Sequence, residues 1–163
     1  MMIYLLSLGS NLGRPEANLA RAVELLRAGG VEVVRASSIY RTEPVDHPGQ
    51  PWFLNQVLEV RTALVPLALL DLGRSIESAL KRVRSVVKGP RTIDIDILLA
   101  GSLELESDEL TIPHPRMALR NFVLVPLAEI APGAVHPRSR KTAAQLLQEC
   151  PDTAKVEKFA GPL

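Results

Sequence analysis

Two aspartates raise the first chemical question. In the stretch Gly89-Pro90-Arg91-Thr92-Ile93-Asp94-Ile95-Asp96-Ile97-Leu98-Leu99, side chains of an extended strand alternate between faces. Ile93, Ile95 and Ile97 therefore share a face suited to the core, and Asp94 and Asp96 share the other, about 7 Å apart at ~3.3 Å rise per residue. Asp is disfavoured in strands, and two like charges on one face repel unless a cation or hydrogen-bond donors compensate them. A hard cation fits: Mg²⁺ takes one or two carboxylates and fills its remaining positions with water and phosphate oxygens. For a D-x-D pattern alone a solvated polar strand face is the plainer account, so the surroundings decide.

Those surroundings are basic. Between Arg74 and Arg91 stand six cations (Arg74, Lys81, Arg82, Arg84, Lys88 and Arg91) against one acid, Glu77, and several lead directly into the aspartate strand. Arginine forks match phosphate oxygens, and transfer from ATP needs cations around a highly charged group. A solvated basic loop and a nucleic-acid patch are the rivals. Against the second, net charge is only +1 and aromatic residues make up 4% of the chain, leaving few rings on which bases could stack. Further on, Ile112-Pro113-His114-Pro115-Arg116 holds a histidine between two prolines, with Arg120-Asn121-Phe122 beyond it. Such a stiffened histidine beside Arg116 and Arg120 could meet phosphates or simply support the loop. Phe53 and Asn55, two residues apart on a strand, point to one face, where a ring and an amide together could read a flat polar heterocycle. Three scattered histidines and the single Cys150 offer no zinc cluster, and Gly9-Ser10-Asn11-Leu12-Gly13-Arg14 lacks the phosphate-loop pattern.

The elements that must carry these residues can be read from periodicity. Residues 3–8 form an apolar strand ending at Gly9-Ser10-Asn11. Pro15 opens a helix with Leu19, Val23 and Leu26 on one side and Gly29-Gly30 at its end. Residues 31–40 read as a second strand, followed by the turn-rich segment 42–51. Residues 53–62 alternate, with Leu54, Leu58 and Val60 on one face and Phe53, Asn55 and Val57 on the other. Pro66 opens a helix with Leu69, Leu72, Ile76, Leu80 and Val83 in one stripe, and residues 92–99 form a fourth strand. The order β-α-β-β-α-β predicts an α+β, ferredoxin-like core, an antiparallel sheet with both helices on one face. A C-terminal hairpin and helices near 123–130 and 142–149 complete it. The 163 residues suit one catalytic domain over 1–163, large enough for a core without disulfides. The apolar start MMIYLLSLGS lacks a basic flank and no run reaches ~18 apolar residues, so a cytoplasmic protein without a membrane anchor is expected.

Taken together, six segments in order resemble the 6-hydroxymethyl-7,8-dihydropterin pyrophosphokinases of folate biosynthesis. They are Leu8-Gly9-Ser10-Asn11-Leu12-Gly13, Ser38-Ile39-Tyr40-Arg41-Thr42-Glu43-Pro44, Gln50-Pro51-Trp52-Phe53-Leu54-Asn55-Gln56-Val57, the aspartate stretch from Gly89, Ile112-Pro113-His114-Pro115-Arg116, and Phe122-Val123-Leu124-Val125-Pro126-Leu127-Ala128-Glu129-Ile130-Ala131-Pro132. The resemblance implies transfer of the pyrophosphoryl group of ATP to the hydroxymethyl oxygen of the pterin, with release of AMP. It implies two Mg²⁺ ions on Asp94 and Asp96, and catalytic roles for Arg82 and Arg91. Arg82, Arg84, Arg91, His114, Arg116 and Arg120 map onto ATP contacts. Thr42, Pro44, Val45, Phe53, Asn55 and Phe122 map onto the pterin pocket, with Phe53 and Phe122 sandwiching the ring. ATP and the pterin are the implied partners, nucleic acid is not, and a monomer is favoured. Lys81, Val87-Lys88 and Glu109 depart from the family pattern. The alternative is a ferredoxin-like nucleic-acid-binding module.

Overall fold

The computed structural model describes residues 1–44, 49, 51–80 and 92–159. Strand β1 (Met2–Ser10) leads into helix α1 (Pro15–Ala28), then β2 (Val31–Ala36), β3 (Tyr40–Thr42) and β4 (Phe53–Thr62). Helix α2 (Pro66–Leu80) precedes β5 (Asp94–Leu99). The hairpin β6 (Leu105–Glu106) and β7 (Thr111–Ile112), a 3₁₀ turn at Met117–Leu119, α3 (Asn121–Ile130), α4 (Ala143–Glu149) and β8 (Val156–Lys158) follow. The main sheet runs β5-β1-β4-β3-β8, with β2 also on β4, and every pairing is antiparallel. This is the expected α+β, ferredoxin-like arrangement.

Strand alternation builds two cores, one on each face of the sheet. On the first, Leu6 and Leu8 of β1, Leu54, Leu58 and Val60 of β4, and Ile95 and Ile97 of β5 pack under Leu19 and Leu26 of α1 and Leu69 and Ile76 of α2. Helix α2 comes so close to β5 that a Cβ on Gly73 would lie 3.6 Å from Ile95 Cγ2, within ordinary contact. On the second face, Leu5, Val57 and Leu98 meet Val123, Leu124 and Leu127 of α3 and Leu146 of α4. The first core follows from the strand and helix stripes. The second makes the molecule three-layered, because α3 and α4 cover the face opposite α1 and α2.

One expectation is corrected. Residues 31–40 are not one strand. The chain breaks after Ala36, where Ser37 donates its N–H to Val57 O at 2.9 Å and its hydroxyl accepts the Val57 N–H at 2.9 Å. A side-chain oxygen thus replaces a backbone carbonyl in the ladder and shifts the chain before β3 begins. Strand β8 pairs with β3 and was not anticipated. Val83, placed in the α2 stripe, lies outside the described residues. Among the described residues, no helix is long and apolar enough to cross a membrane.

The C-terminal end of α3 is tied across the second face. Glu129 accepts hydrogen bonds from the Tyr40 hydroxyl at 2.7 Å, the Ser38 hydroxyl at 2.8 Å and the Ser38 N–H at 3.0 Å. Arg35 donates to Ile130 O at 2.9 Å. Burial, followed by the Glu129 carboxylate, pushes the Tyr40 phenol up to about 12. The alternation makes a direct prediction for neighbours on one face of β5. Leu98→Ala, which empties a site 1% exposed, should lower stability in urea by about 2–5 kcal/mol. Asp96→Ala, two residues away, should shift stability by less than about 1 kcal/mol, because its carboxyl does not pack in either core.

Candidate active site

Register brings the predicted residues to one end of the sheet. Gly9 of β1 pairs with Asp94 on one side and Asn55 on the other, and Ser7 pairs likewise with Asp96 and Val57. Paired residues lie on the same face, so Asp94, Asp96 and Asn55 share the face opposite α1 and α2. Adjacent strands lie about 4.8 Å apart, which sets Asp94 and Asn55 about 10 Å apart across Gly9. The glycine is required there. A Cβ at residue 9 would meet Asn55 Oδ1 at 2.8 Å, closer than packing allows. Asn55, 3% exposed, donates from Nδ2 to the Thr42 hydroxyl at 2.7 Å. Thr42 in turn pairs with Phe53 across the β3–β4 ladder. Three of the predicted heterocycle residues thus form one connected cluster, with Pro44 just beyond it and partly buried.

The carboxylates sit at the edge strand, and α2 supports them. Glu77 Oε2 accepts the N–H of Ile95, the residue between the two aspartates, at 2.8 Å. Asp96 is reached by solvent yet crowded by surrounding elements. Loss of hydration raises its pKa above the ordinary carboxylate value, and Arg120 pulls it the other way. Among the described residues no third His, Cys, Asp or Glu joins Asp94 and Asp96. Two carboxylates on one face, with no further carboxylate, imidazole or thiol grouped with them among the described residues, fit Mg²⁺ completed by water and phosphate oxygens rather than a closed all-protein cage.

The histidine loop docks on the same strand. His114 donates its N–H to Leu98 O at 2.9 Å, which fixes the loop beside the aspartates. Its ring Nδ1 accepts the N–H of Arg116 at 3.1 Å, so the neutral ring carries its proton on Nε2. Burial, then Arg120 and Arg116, lower the His114 pKa to about 4. The imidazole is therefore a neutral donor in cationic surroundings, suited to an anionic oxygen. Arg120 lies with its guanidinium 5.5 Å from the Phe122 ring centre, linking the phosphate side to the heterocycle side. Phe122 is partly buried against the second core. Arg116 is exposed at the rim.

Arg82, Arg84, Arg91 and Val45 lie outside the described residues. Sequence reasoning passed over Gly9, Ser7 and Glu77. Gly9 stands in a segment already noted for its turn, but its task of making room for Asn55 depends on a strand 46 positions away. Glu77 left a trace as the one acid in a basic stretch. Asn11 is also buried, and its side-chain amide donates to Pro51 O at 3.0 Å, tying the turn after β1 to the segment entering β4. A separate concavity of about 810 Å³ lies toward the other end of the sheet, lined by Leu5, Leu99, Ile130 and Arg140 among others. It holds none of the predicted residues, and its Arg35 and Glu59 face each other at 3.9 Å.

The histidine geometry sets a pH dependence. The folded pKa of about 4 lies below the ordinary value of 6.5, so the unfolded chain binds the extra proton first as pH falls. The stability tied to neutral His114 is present in full above pH 6.5 and is lost as pH falls through 4. In a proton NMR titration, one of the three histidine ring signals, identified with His114→Gln, should stay flat from pH 8 to about 5. A midpoint near 6.5 for that signal would overturn the assignment.

Comparison with known proteins gives concordant results. The family model described as 7,8-dihydro-6-hydroxymethylpterin-pyrophosphokinase (HPPK) matches residues 5–132. The chain is 49% identical over 129 residues to the 2-amino-4-hydroxy-6-hydroxymethyldihydropteridine pyrophosphokinase of Bacillus subtilis, covering 78% of this chain and 77% of that protein. It is 46% identical over 148 residues to the Synechocystis protein of the same name, covering 90% and 75% respectively. Among solved structures, the HPPK-DHPS of Plasmodium falciparum with SDX-DHP superposes with a TM-score of 0.70 over 91% of this chain, at 18% identity, which supports the fold. This chain spans 43% of that longer polypeptide. The match of 5–132 takes in the aspartate strand, the Asn55 cluster and the histidine loop, and the chain belongs to the 7,8-dihydro-6-hydroxymethylpterin-pyrophosphokinase family.

Proposed function

We propose that this protein transfers the pyrophosphoryl group of ATP to the hydroxymethyl oxygen of 6-hydroxymethyl-7,8-dihydropterin, giving the pterin diphosphate and AMP for folate synthesis. The observation that carries this is the single sheet row Asp94–Gly9–Asn55. It sets a carboxylate pair for a metal–phosphate complex about 10 Å from a buried amide that can read a heterocycle, using ~4.8 Å per strand. The pterin hydroxyl oxygen attacks the β-phosphorus. The bond from that phosphorus to the oxygen bridging α and β breaks, AMP departs with the bridging oxygen, and the hydroxyl proton passes to solvent.

In this scheme Asp94 and Asp96 hold Mg²⁺, two ions with ATP, and when bound these supply charge neutralisation for the phosphates and acidify the substrate hydroxyl. His114 donates from Nε2, and Arg116 and Arg120 add positive charge, to the phosphate oxygens. Arg82, Arg84 and Arg91 are assigned to the same task, with Arg82 and Arg91 meeting charge that develops in the transition state. Asn55, oriented by Thr42 and by the space above Gly9, offers its amide to the pterin edge. Phe53 and Phe122 stack on the ring, and Pro44 and Val45 border it. A single cysteine and a nucleotide co-substrate suit a cytoplasmic setting, with the monomer as the working unit. The family match displaces the nucleic-acid-binding alternative.

The deciding assay separates AMP from ADP after incubation with Mg-ATP, with and without the pterin. AMP that appears only with pterin is the expected result, and ADP in its place would sink the pyrophosphoryl scheme. Asp94→Ala and Asp96→Ala should each lower kcat by about 10³-fold or more, since several kcal/mol of charge stabilisation are lost. Near-normal turnover in either would remove the metal assignment. Gly9→Ala should push the Asn55 amide aside and raise the pterin KM by about tenfold while the ATP KM stays within about twofold.

A further inference from the structure

Residues 150–159 touch both walls of the candidate heterocycle pocket. At one end, Asp152 Oδ2 accepts the N–H of Asn121 at 2.9 Å, and the Asn121 side-chain amide donates to Asp152 O at 2.7 Å. Asn121 is the first residue of α3, set between Arg120 and Phe122. Asp152 also closes its own turn, accepting the Ala154 N–H through Oδ1 at 2.8 Å. Three residues on, the same segment grips the opposite wall. Lys155 donates its N–H to Glu43 Oε1 at 2.7 Å, and the Glu43 N–H returns to Lys155 O at 3.2 Å. Strand β8 then pairs Val156 with Thr42 and Lys158 with Tyr40. Phe159 N–H closes on Ile39 O at 2.8 Å. Glu157 meets Arg41 at 3.1 Å, and Arg41 lies 4.2 Å over the ring centre of Trp52, the residue before Phe53.

We propose that this strap is a positioning element of the pterin site, with Asp152 its key residue. It sets the Phe122 end of α3 at a fixed spacing from Thr42 and Phe53 on β3 and β4. The proposal rests on the pterin assignment above for the ligand, and on the strap's contacts for the mechanism. The surface pair Arg41–Glu157, with side chains 47% and 44% exposed, contributes little by itself. The backbone pairs to β3 and the carboxylate of Asp152 hold the span. The strap lies beyond residues 5–132, where the family match falls. Asp152 touches no predicted substrate group, so it acts through Asn121 and the strand.

The test uses the full chain with Asp152→Ala and Asp152→Asn. The asparagine keeps one side-chain oxygen for the Asn121 N–H. For Asp152→Ala the midpoint of thermal unfolding should stay within about 5 °C of wild type. Its pterin KM should rise about tenfold and its ATP KM less than about threefold. Trp52, the one tryptophan of the chain, reports the far wall independently: its acrylamide quenching constant should rise about twofold as the strap loosens. Asp152→Asn should recover most of both effects. An unchanged pterin KM with unchanged quenching overturns the proposal, as does a loss of kcat that follows the folded fraction and is not rescued by asparagine. If the wild type forms no AMP with pterin, the functional assignment fails instead, and the quenching decides alone: a rise in Asp152→Ala supports the strap's positioning role, and no change removes it.

Discussion

Everything at the candidate site depends on the register of β1 between its two neighbours. Gly9 opposes Asp94 on one side and Asn55 on the other, and the opposite face of all three strands packs under α1 and α2. A slip of one residue in β5 would turn the aspartates under α1 and α2 and bring Ile95 to the open face. Burying two carboxylates without partners costs far more than a domain of this size has in reserve. The pattern Ile93-Asp94-Ile95-Asp96-Ile97 is thus both the device that fixes register and the device that presents charge.

What could be read from the sequence follows from the range of each interaction. Alternation is local, so the faces of β4 and β5 were legible, as was the start of α1 at Pro15 and its end at Gly29-Gly30. The break between β2 and β3 was not, because Ser37 acts through Val57, twenty positions away. Strand β8 is three residues long, only partly buried, and stabilised by β3 more than a hundred positions earlier. It carries no periodicity of its own. The second core was half legible: α3 is visibly apolar, but which sheet face it covers is set by where the chain returns after the β6–β7 hairpin. At the site, residue types pointed to Asp94, Asp96, His114 and Asn55. Gly9 and Glu77 escaped because their importance lies in what they leave room for or hold in place.

The electrostatics divide labour between fixed and variable charge. The positive charges of Arg120 and Arg116 beside the buried ring help hold His114 neutral. With Nδ1 already accepting from Arg116, the ring has a single donor left, and its direction is set by the backbone. A lysine or a freely rotating histidine would add charge but not orientation. Asp96 stands on the other side of the balance: burial raises its pKa while Arg120 lowers it. The same arginine therefore acts on both the acid and the imidazole.

Helix α3 is held at both ends, by Asp152 at Asn121 and by Ser38 and Tyr40 at Glu129. Ten residues at ~1.5 Å each make it a bar of about 15 Å between two fastenings. A bar fixed twice can neither slide along its axis nor swing about one end without breaking a set of hydrogen bonds. On the proposed pterin assignment, the Phe122 wall is ordered when the chain folds, not when a ring arrives. A flat molecule docking there loses its own freedom but imposes little new order on that wall, and so its affinity should respond more to the fit of its edge than to its ability to induce a shape.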